Sequence, residues 1–324
     1  MPEARALWHQ SASTSVIKEA PINLPEGDGF CEVKAIHSLI STGTERIVAR
    51  GFVPIEMNES MRVPYMEGSF QLPIKYGYSM VGEVITEGHP FKGRLVHMIH
   101  PHQDLCVVRN EDITLVPEMV PPKRATLASN LETALTAIWD AQVSVGDKVL
   151  LVGFGMIGSL VGRLIARLPA VKLKVIDTDP ARIQLANKLG FNAGIMVDED
   201  EIFDCAFHAS GSGEGLQYCI DKVGFEGKVI EMSWYGSMEI DLNLGGTFHS
   251  QRKQIISSQV STLPAGRRAN WDVLRRKETV FRLLEDPALD HHITDTIPFD
   301  RLPAFFKKLR GHSPGSKLAY CVEY

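Results

Sequence analysis

The chain has 324 residues, enough for two domains and a large buried core. Its composition is 44% hydrophobic and 23% charged with a net charge of −5, which suits a globular protein and argues against a nucleic-acid surface. No apolar run reaches the ~18 residues that a membrane helix needs.

The opening MPEARALWHQ lacks the charged-then-apolar form of a signal peptide. The cysteines, Cys31, Cys106, Cys205, Cys219 and Cys321, are scattered without a C-x-x-C pair. Together these features predict reduced thiols in a cytoplasmic protein. Up to about residue 133 the apolar patterns are short and strand-like, at 4–8, 15–18, 30–38, 80–85 and 94–99. Turn residues such as PEGDG (25–29) and PFKG (90–93) separate them, which predicts an irregular β-rich domain.

From Thr133 the pattern changes to alternating strand and helix. Residues 148–177, KVLLVGFGMIGSLVGRLIARLPAVKLKVID, place Gly153, Gly155 and Gly158 at G-x-G-x-x-G spacing between an apolar run and a helical pattern that Met156 and Ile157 open. Leu160, Val161, Leu164, Ile165 and Leu168 make one apolar face of that helix, away from Arg163 and Arg167. Val171, Leu173 and Val175 then alternate with Lys172 and Lys174 as a strand. Asp179 with Pro180 predicts the start of the next helix, and Gly190 its end. Further strands are read at 204–209, 227–233 and 253–260, with a helix at 214–223. This is the pattern of a parallel sheet with crossover helices, whose ligands sit at the carboxyl ends of the strands. Beyond residue 261 the basic stretch RRANWDVLRRK reads as a solvated helix face. Helices at 271–284 and 301–310 and a last strand at 317–323 are predicted to return to the first domain.

The glycine spacing has a chemical reason. A pyrophosphate must approach the backbone at a helix N-terminus, where unpaired N–H groups and the helix dipole favour negative charge, and a side chain on the second glycine obstructs it. Asp177, 19 residues after Gly158, stands where a carboxylate takes the adenosine ribose hydroxyls and repels a 2′-phosphate. NAD is therefore favoured, while Thr178 and Arg182 keep NADP open. Methyltransferases that bind S-adenosylmethionine also place an acid after their second strand.

A β-rich half, a nucleotide fold and a return resemble the medium-chain dehydrogenase/reductase superfamily, zinc-type alcohol dehydrogenases included. The resemblance covers essentially the whole chain. It is carried by SLISTGTERIVARG, PIKYGYSMVGEVI, LASNLETALTAIWDAQVSVGDKVLLVGFGMIGSL and FHASGSGEGLQYCIDKVGFEGKVIEMSWYG, which a methyltransferase lacks. The STGTER loop is similar to that of bacteriochlorophyllide dehydrogenase-like proteins. The resemblance implies an α/β fold: a Rossmann doubly wound parallel sheet (132–261), a GroES-like β-rich catalytic domain (1–131) and a C-terminal segment (262–324) that returns to it. The active site is expected in the cleft between the domains.

At the family's catalytic zinc ligands this chain has Thr42 for a cysteine, Tyr78 for the histidine and Ser129 for the third ligand. Ser79 replaces a neighbouring glutamate, and Ala125 stands at the alternative third position. Thiolate, imidazole or carboxylate ligands are missing there, so no zinc is expected. Cys106 alone remains of a structural-zinc lobe. His97, His100 and His102 form the one metal-like cluster. On a strand His100 and His102 would share a face, although Pro101 disturbs it, and hydrogen-bonded or exposed histidines are the simpler reading.

The resemblance places Thr42, Thr44, Tyr78, His102, Asn130 and Glu132 near the substrate. Tyr78 is the first choice of proton donor, with Thr44 in the relay-hydroxyl position and His102 second. Glu132 is either a general base or paired with an arginine such as Arg46. Thr133, Ala209, Ser210, Trp234, Tyr235 and Ser258 are implied to flank the ribose and nicotinamide, and the two aromatics equally suit packing. The reading is a zinc-independent, NAD-preferring oxidoreductase acting on a small alcohol, carbonyl or enone, as a homodimer joined through residues 254–261, with no nucleic-acid or membrane partner. An NADPH-dependent enone or quinone reductase and a non-catalytic dinucleotide sensor are the alternatives.

Overall fold

The computed structural model describes residues 3–25, 27, 29–311 and 317–324, so the turn predicted at 25–29 and the opening of the chain lie partly outside the described residues. The chain divides into two compact units. One comprises Met1–Ser129, Phe281–Pro314 and Ala319–Tyr324, and the other Asn130–Val280 and Gly315–Leu318. Residues 262–280, expected to leave with the C-terminal segment, stay with the second unit. Trp271 packs on Trp139 with ring centroids 4.7 Å apart, and Arg276 is tied to Glu132.

The first unit is built on two sheets. A four-stranded sheet runs in the order Thr14–Pro21, Glu3–Ser11, Ile74–Lys75, Glu67–Gly68. The larger sheet runs Ile293–Pro298, Ala319–Glu323, Phe30–Ile40, Met80–Val84, Leu95–Met98, Ile113–Leu115, with Leu105–Arg109 also paired to Phe30–Ile40. Alternation makes its core: Cys31, Val33 and Ala35 point inward with Met80, Val84, Val96 and Met98. Gly82 is required by close strand approach, since a Cβ there would stand 2.5 Å from the Lys34 carbonyl oxygen. The return of the chain is an antiparallel pairing of Ala319–Glu323 with Phe30–Ile40, backed by Leu302, Phe306 and Leu309 from the helix Leu302–Gly311.

The STGTER segment, read as a loop, is helical over Thr42–Ala49. Glu45 reaches back to accept from the Ser41 backbone N–H at 2.8 Å, which ties down a donor that the helix start leaves open.

In the second unit six parallel strands run in the order Asn192–Gly194, Lys172–Ile176, Lys148–Val152, Phe203–His208, Val223–Glu231, Gln254–Ser257. The chain moves outward from Lys148–Val152 on one side and resumes with Phe203–His208 on the other, so the order reverses between these two strands. That reversal opens a crevice at their carboxyl ends. Asp179 caps the helix Pro180–Lys188 by accepting from the Ala181 N–H at 2.9 Å, and Gly190 follows it at φ +90°. The five cysteines are buried and free. Among the described residues no helix is long and apolar enough to cross a membrane.

Burial pulls the His9 and His100 imidazoles down from 6.5 to about 3, with Arg310 pressing further on His9 and Lys75 on His100. Below pH 6.5 the unfolded chain takes up protons that these folded imidazoles refuse. Their contribution to stability is therefore complete above 6.5 and is lost on acidification towards 3, at up to about 1.4 kcal/mol per pH unit for each histidine. The thermal midpoint should fall across this range, and His100→Gln should flatten part of the fall. An unchanged slope in that variant refutes the assignment.

Candidate functional site

The glycine loop follows Lys148–Val152 at the sheet's reversal point. Gly153 has φ +98°, and a Cβ on it would stand 2.6 Å from the Ala209 carbonyl carbon and the Ser210 nitrogen. Only glycine lets the loops after the two strands lie so close. A Cβ on Gly158 would stand 2.0 Å from the Gly153 oxygen, so the third glycine brings the helix Met156–Ile165 down on the turn. At Gly155 a Cβ would meet nothing within 4 Å, and no side chain caps this helix start. An open approach to uncapped N–H groups is what a pyrophosphate needs, so these residues fit a dinucleotide. Met156 is buried and Ile157 partly so.

Asp177 is nearly buried, and its two oxygens accept from Phe154 N–H at 2.7 Å and Asp179 N–H at 2.9 Å. It therefore shapes the glycine loop, a role the sequence reading missed. A carboxylate has about four acceptor sites, so it keeps capacity for a ribose diol. Arg182 lies 3.8 Å from Asp177 and 4.0 Å from Asp179.

The expected flanking residues divide. Ala209 and Ser210 lie against Gly153, and the Ser210 hydroxyl is 2.6 Å from His208 Nε2. Trp234 and Tyr235 follow Val223–Glu231 and are half-buried, and the Tyr235 phenol donates to Glu231 at 3.2 Å. Burial first, then the Glu231 charge, raises that phenol's pKa. Ser258 instead donates to Asp140 at 2.7 Å, on the helix Ala128–Ala141 that also carries Thr133. Glu132 pairs with Arg276 at 3.1 Å, both 5% exposed, so its arginine is Arg276 and not Arg46. Arg276 also donates to Thr136 at 3.3 Å and to the Val260 carbonyl at 2.7 Å.

In the first unit His102 is fully buried, with Nε2 2.9 Å from Glu45 and Nδ1 2.7 Å from the Ser38 hydroxyl, itself 2.8 Å from the Tyr324 phenol. Gly77 has φ +144°, and a Cβ on it would stand 3.0 Å from the His102 nitrogen and 3.2 Å from its ring. Tyr78 follows Gly77 and Thr44 precedes Glu45 in the chain, and both hydroxyl residues are half-buried. Ser38, Glu45 and Tyr324 escaped the sequence reading. Only the acid within STGTER offered a signal.

The positions of the family's zinc ligands hold hydroxyls with other duties. Ser129 donates to the Tyr78 carbonyl at 2.8 Å, Ser79 donates to the Thr126 carbonyl at 2.6 Å, and Thr42 opens the helix Thr42–Ala49. Ala125 is buried in Pro122–Ala125. Neutral hydroxyls are poor zinc ligands, so this donor set does not fit the metal. The histidines also diverge. The strand ends at Met98, so His100 and His102 lie beyond it, where each is buried and hydrogen-bonded. His97 lies 3.0 Å from the Ser79 hydroxyl, and His100 stacks on Tyr65 at 5.1 Å. Among the described residues no three His, Cys, Asp or Glu converge.

Sheet, loop and acid have the form of a dinucleotide-binding α/β unit, and a separate β-rich unit accompanies it. No family model matches the chain. D-guloside 3-dehydrogenase from Shigella flexneri is 25% identical over 236 residues, 67% of this chain and 66% of that relative's length. The chain is similar in structure to a protein described as a zinc-binding dehydrogenase from Sinorhizobium meliloti, bound to NADP (TM-score 0.78, 16% identity, 100% of each chain). It is equally similar to L-idonate 5-dehydrogenase from Escherichia coli (TM-score 0.78, 14% identity, 100% and 99% of the two chains). These relatives and neighbours are dehydrogenases, one further relative being described as a zinc-type alcohol dehydrogenase-like protein from Escherichia coli (25% identical over 175 residues, 50% of this chain), and the chain shares the fold of the solved structures.

Because a Cβ at Gly155 meets nothing within 4 Å, Gly155→Ala should leave the thermal midpoint unchanged while weakening NADH binding at least about tenfold. Fluorescence titration checks this, and undiminished affinity would place the dinucleotide elsewhere.

Proposed function

We propose that the protein is a zinc-independent, NAD-preferring oxidoreductase that interconverts a small alcohol and a carbonyl by hydride transfer. The carrying observation is the open, uncapped glycine loop organised by Asp177 at the sheet's reversal point. Sugar and alcohol dehydrogenases among the relatives support the reaction class. A bound nicotinamide supplies the hydride acceptor or donor.

The preference for NAD is supported by Asp177 and Asp179 flanking Arg182, since a 2′-phosphate there meets two carboxylates. NADP is the second reading, favoured by Arg182 itself and by the structural neighbour bound to NADP. Zinc independence is supported by Thr42, Tyr78 and Ser129 at the ligand positions.

Without a Lewis acid, a hydrogen-bond donor must polarise the substrate oxygen. Tyr78 takes this role, as a partly exposed phenol that donates a hydrogen bond to a carbonyl oxygen or accepts the proton of an alcohol. Thr44 is the second hydroxyl able to contact that oxygen. His102 has both ring nitrogens engaged, so it positions the helix that carries Thr44 through Glu45. The position of Gln254–Ser257 at the end of the six-stranded sheet, with one neighbouring strand among the described residues, supports a homodimer.

Turnover of an alcohol panel with NAD+ should survive dialysis against a chelator, and NADH should bind about tenfold tighter than NADPH. Tyr78→Phe should lower kcat by about 10²–10⁴-fold with NADH affinity unchanged. Activity that vanishes with the chelator and returns with zinc overturns the metal-free reading. An unaltered kcat in Tyr78→Phe removes Tyr78 from the chemistry.

A further inference from the structure

The second unit holds a hydroxyl, an imidazole and a carboxylate in line. His208 ends the strand Phe203–His208 and is fully buried. Its Nδ1 lies 2.8 and 3.0 Å from the two oxygens of Glu231, at the end of the neighbouring strand, and its Nε2 lies 2.6 Å from Ser210 Oγ. A carboxylate only accepts, so it fixes which ring nitrogen carries the hydrogen that faces it. Nδ1–H donates to Glu231, which leaves the Nε2 lone pair to accept from the Ser210 hydroxyl. Glu231 is held in turn by the Ser233 backbone N–H at 2.6 Å and by the Tyr235 phenol at 3.2 Å. The acid is thus fixed by two donors, the base by the acid, and the hydroxyl by the base.

The hydroxyl is presented while the base is shielded. Ser210 is exposed, on the turn between its strand and the helix Gly213–Lys222, where Gly211 adopts φ +69°. Glycines clear the space around it. A Cβ on Gly215 would stand 2.3 Å from Ser210 Oγ and 2.9 Å from His208 Nε2, and one on Gly153 would stand 2.6 Å from the Ser210 nitrogen. Gly215 lies in the first turn of the helix, so the hydroxyl sits against the helix's positive end. Negative charge developing on a carbonyl oxygen is stabilised there. A strand-to-helix turn that raises a serine over small neighbours is the setting of a nucleophile elbow. The remaining polar neighbour of Ser210 Oγ is Ser212 Oγ at 3.1 Å, which itself accepts from the Gly215 N–H.

We propose that Ser210, His208 and Glu231 act as nucleophile, base and orienting acid in the hydrolysis of carboxylic esters, an activity separate from hydride transfer. Ser210 Oγ bonds to the ester carbonyl carbon as its proton passes to His208 Nε2. The carbon–oxygen bond to the alcohol breaks, and the departing oxygen takes that proton. Water then attacks the acyl-serine by the same route, releasing the acid and restoring the serine. No oxidant, metal or dinucleotide enters the balance.

The test treats the full chain, without added dinucleotide, with a fluorophosphonate probe and with p-nitrophenyl acetate. The expected result is a single label, mapped by peptide mass spectrometry to Ser210, and ester hydrolysis above that of the heat-denatured chain. Ser210→Ala abolishes both, and His208→Gln lowers both at least about 100-fold. Glu231→Gln, which retains the strand end and a hydrogen-bonding side chain, lowers them in the same order without removing the label site. The proposal is overturned if Ser210 takes no label, or if hydrolysis persists in folded Ser210→Ala. In that event the His208 chain is only a buried hydrogen-bond network.

Discussion

The nucleotide unit depends on the near-contact of two strand ends. Gly153, Gly158 and the backbone of Ala209 and Ser210 lie so close that a single added carbon at either glycine would stand 2.0–2.6 Å from main-chain atoms. That approach brings the helix start over the reversal point of the sheet and leaves its N–H groups uncapped. Asp177 completes the turn, because its carboxylate takes the Phe154 N–H and holds the loop from below. A loop held by backbone contacts in this way presents fixed dipoles to an anion and needs little reordering when one binds.

The β-rich unit meets a different constraint. It buries a carboxylate, Glu45, and an imidazole, His102, each almost wholly out of solvent. Such groups persist only when every polar atom finds a partner, and removing one member of a buried pair costs about 3–5 kcal/mol. Here the Ser41 backbone, Ser38 and Tyr324 supply those partners, so the last residue of the chain helps to satisfy a histidine in its first third. At the positions where the resemblance would place metal ligands stand Thr42, Tyr78 and Ser129. The unit keeps a fixed polar centre in the segments that also carry Thr44 and Tyr78, both half-buried.

Much of the fold was legible because its signals are local. Alternation at residues 30–38 and 80–85, the glycine spacing at 153–158 and the Asp179–Pro180 start each depend on neighbours in sequence, and each element formed near its expected place. Non-local choices were not legible. STGTER contains a glycine and β-formers, yet Glu45 converts it to a helix by reaching back to Ser41. Glu132 found Arg276, 144 positions away, in place of Arg46. His100 and His102 each found their own partners, the Pro101 carbonyl for one and Ser38 and Glu45 for the other. His208 and Glu231 gave no sign in the sequence, since 23 positions and a helix separate them and only parallel pairing sets them side by side.

The sequence by itself determined that a glycine turn of G-x-G-x-x-G spacing lies at residues 153–158, that an acid follows it at Asp177, and that residues 42, 78 and 129 are threonine, tyrosine and serine. These are statements about residue type at short spacing, which composition and periodicity carry directly. Tertiary structure alone decided which buried charges pair, that Asp177 also builds the loop it serves, and that a serine, a histidine and a glutamate stand in line beside that loop. The physical reason is that burial makes every polar group find a partner, and the partner within reach depends on how strands and helices pack.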